Sequence, residues 1–348
     1  MNFYPKTGPE WTAAFGLTIL QWLGGMTAGK QSFVENEEGR KGVSIFDEQW
    51  WFNAACPGAW DRREVRRDNQ LLASLSFHTF KKFGMRYIQM PHLTRTLQPE
   101  VCPPGQKPVS RLKHQVSLLG ELYKSLPRHD RFELCLPPET DLAFAFVQSG
   151  FQAKQTYTFR AAPHSSADPL AAMEQKTRNV IKTAAKRFYV EEHWDIERFM
   201  RLSRIERASS GQKDRFDYPA ITRIFEASRL RNRAMIISAV TDQSIEVATA
   251  ILVWDERVVY YWLSVRNAQL SGNGANSLLL WHAADFAQQR GAIFDLDGFL
   301  TPQNGMFLAK FGFKPVVRTF VTRSTPFWDG LFGLKSAFAS GGSELRYR

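Results

Sequence analysis

The 348-residue chain is long enough for two domains, and a 44% apolar composition with ten tryptophans excludes a disordered polymer. Three scattered cysteines (Cys56, Cys102, Cys135) with no Cys-x-x-Cys spacing argue against a disulfide framework or a structural zinc, and for a reducing, cytoplasmic setting. Net charge is +11, and segment 174–233 holds fifteen Lys/Arg against nine Asp/Glu, which suits either a polyanionic partner or a solvated basic surface.

Residues 1–44 read as an irregular N-terminal arm. Their longest apolar run, Ala13–Met26, is shorter than the ~20 residues a spanning helix needs. Lys6 ahead of it suggests a signal peptide, but Glu10 and the lack of a small-x-small cleavage site oppose that reading. A first lobe is expected over 45–162. It opens at Ile45-Phe46-Asp47, with a helix carrying Trp50 and Trp51, and strands at Gln70–Phe77 and Arg86–Gln89. A Pro-rich connection, Thr94–Ser110, leads to helix Val116–Ser125, strand Phe132–Leu136, helix Asp141–Ser149 and strand Ala153–Arg160.

The second lobe is expected over 163–325, and 326–348 is left as a tail. The lobe begins with a basic helix, Met173–Arg187, and further helices to about Arg233. A hairpin follows, Ile245–Trp254 and Val258–Val265. A polar glycine-bearing loop, Arg266–Asn276, enters a helix that Asn276 or Ser277 can cap and Gly291 ends. Strand Ile293–Asp297, a short helix through Asn304–Phe311 and strand Lys314–Thr322 complete it. Strands interleaved with helices imply an α/β fold, with a mixed sheet in each lobe.

The two lobes repeat each other. Phe132-Glu133-Leu134 and Gly150-Phe151 return as Phe294-Asp295-Leu296 and Gly312-Phe313, both at an offset of 162 (294−132, 313−151). A period this long marks a duplicated domain. The copies differ in the loop before the long helix. In the second lobe Gln269-Leu270-Ser271-Gly272-Asn273-Gly274-Ala275 has the glycines that let backbone N–H groups converge on an oxyanion at a helix N-terminus. A plain turn is the alternative. In the first lobe Pro99, Pro103, Pro104 and Pro108 remove such donors, leaving only Gly105.

Gln-x-x-Gly-x-Gly-Ala after a hairpin and before a helix resembles the acyl-CoA pyrophosphate loop of GNAT-type N-acyltransferases. The duplication resembles their Fem-type (FemAB-like) branch, built of two tandem GNAT folds. Trp50-Trp51, Met90-Pro91-His92-Leu93-Thr94, Lys176–Lys182, Tyr260-Tyr261 and Phe294-Asp295-Leu296-Asp297-Gly298 follow the same pattern, over roughly residues 45–322. The resemblance implies two tandem GNAT-like lobes, with the acyl donor on the second and the acceptor on the first. It implies transfer of an acyl group from acyl-CoA such as acetyl-CoA, with no metal, to a primary amine of a cell-envelope, amino-sugar or peptide acceptor. An aminoacyl-tRNA donor is the second reading, and a non-catalytic protein binding a polyanion or polysaccharide the third.

Under this resemblance the backbone of Leu263, Ser264 and Val265 lies along the pantetheine arm, and Gln269, Gly272, Asn273, Gly274, Ala275, Asn276 and Ser277 hold the phosphates. An attacking amine must lose a proton. Asp295 and Asp297 share one strand face, and their mutual repulsion is expected to raise at least one pKa toward general-base use. Arg178 and Asn179, with Lys182 and Lys186 on the same helix, are candidates for an acidic acceptor or for phosphate, or simply a solvated face. Trp50 and Trp51 are candidates for stacking on the acceptor, or core residues, and Tyr261 is a further candidate for binding it.

Overall fold

Two tight turns set the front of the first lobe. Asp68 and Asn69 both have positive φ (48° and 63°), as do Phe83 and Gly84 (52° and 76°). Such two-residue turns match the twist of antiparallel neighbours, and they join β1 (Trp60–Arg67), β2 (Gln70–Lys82) and β3 (Met85–Gln89). The computed structural model describes residues 43–325 except 103–106, 139, 163–172, 211–215, 268, 271–273 and 297–301. The expected arm and tail therefore lie outside the described residues.

The remaining first-lobe elements are α1 (Gln49–Ala55), β4 (Glu100–Val101), α2 (Pro108–Ser125), β5 (Arg131–Leu136), α3 (Leu142–Gln148) and β6 (Gln152–Ala161). The second half adds α4 (Gln175–Ala184), β7 (Tyr189–His193), α5 (Ile196–Ser210), α6 (Tyr218–Arg229), β8 (Ala234–Val240), β9 (Glu246–Trp254), β10 (Val258–Arg266), α7 (Ala275–Gln289), β11 (Ile293–Asp295), α8 (Pro302–Ala309) and β12 (Lys314–Ser324). Four strands, β1, β4, β7 and β8, were not expected from the sequence. β1 (WDRREVRR) is a charged edge strand without apolar alternation, the usual protection of a free sheet edge.

The strands form one mixed sheet in the order β1-β2-β3-β5-β12-β6-β11-β10-β9-β8-β7, with β4 on β2. The last strands of the two lobes are thus exchanged: β12 lies against β5, and β6 against β11. The register carries a two-fold relation. Thr156 faces Arg318, its own equivalent (318−156 = 162). Exchanging each member of Lys314–Arg160 for its equivalent gives Gln152–Thr322, which is also a pair. The same exchange turns Phe132–Arg323 into Phe294–Ala161, the pair that joins β11 to β6.

Both faces of β8–β10 are covered, so these strands read as continuous apolar runs rather than alternating ones. α4 and α7 cover one face, and α5 and α6 the other. Residues 45–55 were expected in the first lobe. Ile45, Phe46, Trp51, Ala54 and Ala55 instead pack into the second-lobe core, while Phe52 joins the first. α1 is therefore a bridge.

Candidate active site

β10 and β11 run parallel for three pairs, Val258–Ile293, Val259–Phe294 and Tyr260–Asp295. β11 ends there, while β10 continues to Arg266 along β9. Just past the parting point β10 is bulged: the register skips Trp262, from Tyr261–Leu252 to Leu263–Ile251. A bulge of this kind re-aims backbone groups out of the ladder. Beyond it Leu263 and Val265 are buried, and Ser264 is exposed.

The chain next enters α7. Its N-cap is Gly274 (φ +126°), which has no side chain to satisfy the first-turn N–H groups. Asn276 and Ser277, expected as caps, sit one position or more inside the helix. Asn276 Oδ1 accepts a bond from the Tyr261 hydroxyl at 3.2 Å, and Ser277 is buried. A Cβ on Gly274 would come within 2.9 Å of Ala184 Cβ and 3.2 Å of the Val180 carbonyl. This glycine is thus required by the approach of the loop to α4. Gly272 and Asn273 lie outside the described residues, and Gln269 is in an exposed turn.

The first lobe treats its own strand parting differently. β3 leaves β5 after Gln89–Glu133, and the chain's own return fills the gap. Leu97 N–H donates to Cys135 O at 2.9 Å, and Cys135 N–H to Met90 Sδ at 3.4 Å.

The end of β11 is fixed by a buried ion cluster. Asp295 has no exposed surface and accepts bonds from Thr158 Oγ1 (2.6 Å), Arg160 Nε (2.6 Å) and Arg318 Nη2 (3.0 Å). Burial alone raises a carboxyl pKa. Here the Arg318 and Arg160 guanidiniums and the Thr158 hydroxyl outweigh it and hold Asp295 below the usual carboxylate range.

The family model for an acetyltransferase (GNAT) domain matches residues 171–300. Among solved structures, FemX superposes with a TM-score of 0.62 at 14% identity, over 81% of this chain and 92% of its own. The C-terminal domain of a protein assigned as a lysylphosphatidylglycerol synthetase, from Agrobacterium fabrum, gives a TM-score of 0.54 at 13% identity, over 85% and 93%. No curated protein matches the chain by sequence. The chain has the tandem-GNAT fold, with a GNAT acetyltransferase domain in its second half.

Against this GNAT frame several expected site residues are corrected. Asp295 and Asp297 were expected to repel each other and raise the pKa of at least one, with Asp295 a candidate base. Asp295 does not fill that part. It is held ionised by two arginines with its oxygens engaged, which is the opposite of a general base. Asp297 lies outside the described residues. Trp51 is fully buried, donates from Nε1 to Thr94 Oγ1 at 2.9 Å and packs edge-on against Trp262, so it is a core residue. Trp50 is half-buried beneath the Arg231 guanidinium, 4.7 Å from its ring. Tyr261 is buried as well, and burial pushes its hydroxyl pKa up, so it stays protonated and ties β10 to α7.

Arg178 turns back on its own helix start, donating to Met173 O at 2.7 Å and to Gln175 Oε1. Asn179 is exposed and accepts from Gln175 Nε2. Of the expected donor-side segments, β10 and α7 meet through the Tyr261–Asn276 bond, while Leu263 and Val265 pack into the core on the other face of the sheet from Ala275. Sequence reasoning missed Thr158, Arg160 and Arg318. The available signal was period two: Thr156, Thr158 and Arg160 place polar groups on one face of β6, a strand whose other face carries Phe159 into the core.

No helix among the described residues is long and apolar enough to cross a membrane.

Proposed function

We propose that the chain is an N-acyltransferase that takes an acyl group from acyl-CoA and passes it to a primary amine of a cell-envelope, amino-sugar or peptide acceptor. One observation carries the reading: β10 parts from β11 after Tyr260–Asp295, is bulged, and leads to the uncapped N-terminus of α7. An extended donor arm can lie along Leu263–Val265 in that parting, in the manner of an added strand. Its phosphates would meet the first-turn N–H groups of α7 and the helix dipole. The residues present fit such a donor: a glycine N-cap, an exposed serine near the end of a mostly buried strand, and a first lobe whose equivalent gap is filled by its own Leu97.

The donor supplies the activated carbonyl. The amine nitrogen forms the new C–N bond, the C–S bond breaks, and the amine's proton passes to a base while the thiolate leaves. Asp297 is the proposed base. Calorimetry and native mass spectrometry with acetyl-CoA test the donor, and Asp297→Asn should bind it and fail to release CoA in the presence of an amine. A protein that shows no acetyl-CoA complex would sink this reading.

A second reading, aminoacyl transfer from tRNA, is favoured by the exposed Lys182, Lys186 and Arg187 at the end of α4. It is supported too by the fold shared with a protein assigned as a lysylphosphatidylglycerol synthetase. It requires tRNA binding whose log K falls steeply with log salt.

A further inference from the structure

The first-lobe turn Leu93-Thr94-Arg95 reaches the second-lobe bulge and grips one residue at both ends. The Trp262 indole N–H donates to Leu93 O at 2.9 Å, and Arg95 Nη2 donates to Trp262 O at 2.6 Å. Between them Thr94 Oγ1 is held by the Trp51 indole at 2.9 Å. Leu93 takes φ +67°, a left-handed conformation that a bulky L side chain avoids unless its surroundings impose it. That conformation is what turns its carbonyl toward Trp262. The turn lies between Met90 and Leu97, which close the first lobe's own strand gap. One segment therefore closes one gap and shapes the other.

We infer that Arg95 is a positioning residue for acyl transfer, acting across the lobe junction through the main chain of Trp262 to set the bulge that orients the donor-binding strand. It binds a carbonyl that would otherwise belong to a sheet ladder, and so fixes which backbone groups beyond Trp262 face the parting. An arginine suits this task because its planar fork reaches a carbonyl in one orientation, which an ammonium does not reproduce. The first lobe thereby completes the donor site, and the matched GNAT domain at 171–300 does not contain that part.

The inference rests on the donor reading above, so its test has two independent readouts on the full chain. Hydrogen exchange of the amides in 258–266 and acetyl-CoA affinity by calorimetry are measured for wild type, Arg95→Met and Arg95→Lys. Arg95→Met is expected to speed exchange around Trp262–Ser264 at least tenfold, leave β8 and β9 protected, and weaken acetyl-CoA at least tenfold. Arg95→Lys is expected to recover part of both. A general loss of protection across β8 and β9 means Arg95 is merely structural and overturns the inference. Unchanged exchange at the bulge, or unchanged affinity in a wild type that binds, also overturns it. If wild type binds no acetyl-CoA the donor reading fails, and the clamp is then judged by exchange alone, unchanged exchange refuting it.

Discussion

Replacing Asp295 with asparagine separates a structural role from a catalytic one. The side chain has no exposed surface, and its partners Arg160 and Arg318 are 11% and 4% exposed. Asparagine keeps one carbonyl acceptor for Thr158 or an arginine but removes the charge, leaving two guanidiniums at the lobe junction without their carboxylate. Breaking a buried pair this way costs about 3–5 kcal/mol, a large share of the roughly 5–15 kcal/mol that holds a domain folded. Urea unfolding should show that loss as a lower midpoint. The effect depends on pH in a defined sense. The folded pKa is depressed, so Asp295 contributes stability above the ordinary carboxylate value and loses it as pH falls through the folded value. The gap between wild type and variant should therefore be full at neutral pH and close below about pH 4. An Asp295→Asn, Arg318→Gln double variant should be less destabilised than the two single changes combined. Wild-type stability in Asp295→Asn, together with lost acyl transfer, would refute the clamp and return this carboxylate to the chemistry.

Gly274→Ala should lower the melting temperature by the equivalent of about 2–3 kcal/mol, because φ is +126° and the new methyl meets the Ala184 Cβ and the Val180 carbonyl; an unchanged melt would mean the loop is not seated on α4. Burial, with Asp255, Glu100 and Glu48 nearby and the Gln98 N–H opposing, pushes the Asp47 carboxyl up to about 8. A carboxyl raised on folding binds its proton more tightly in the folded state, so stability should fall as pH rises from about 4 to 8, and Asp47→Asn should flatten that slope and exceed wild type at pH 9. Residues 173–325 expressed alone should not give a stable monomer, since β12 loses both neighbours and β11 loses β6; light scattering showing a folded monomer would contradict the strand exchange.

The duplication was legible because both copies kept the same aromatic, acidic and glycine positions, and the register of β6 on β12 follows the 162-residue offset. The exchange of those strands was not legible. A strand's own pattern shows which face is apolar, not which neighbour it takes. β8 was missed although Ala234–Val240 is an apolar run broken only by Ser238, which periodicity alone does not separate from a helix. At the site, sequence reading gave β10 and α7 their order and nearly their bounds. It left Trp51 open between stacking and core, and it put Asp295 to chemistry where its tertiary partners make it part of a buried ion cluster. The pairing of Asp295 with Arg160 and Arg318 left only the polar face of β6 as a trace, since the duplication aligns these arginines with Thr322 and Thr156.

Departures from the two-fold show where the two lobes were put to different use. Asp295 corresponds to Glu133, yet Glu133 is partly exposed and pairs with Arg131 on its own strand at 2.8 Å. Thr158 corresponds to Phe320, and Arg160 to Thr322, so the buried ion cluster exists at one end of the axis and not at the other. That end is where β10 and β11 part. The β11 wall of the parting is fixed by Thr158 and Arg160 from β6, and the β10 wall meets Leu93 and Arg95 from the first-lobe turn. All four belong to the first half of the chain, while Arg318, the third partner of Asp295, comes from the second. A lobe that held its own walls would need no partner, and a partner kept only for the acceptor would have no reason to reach the donor strand. Under the proposed function the tandem arrangement therefore makes one donor slot from two lobes, and closing the first lobe's own gap with Met90 and Leu97 is what frees the residues between them to build it.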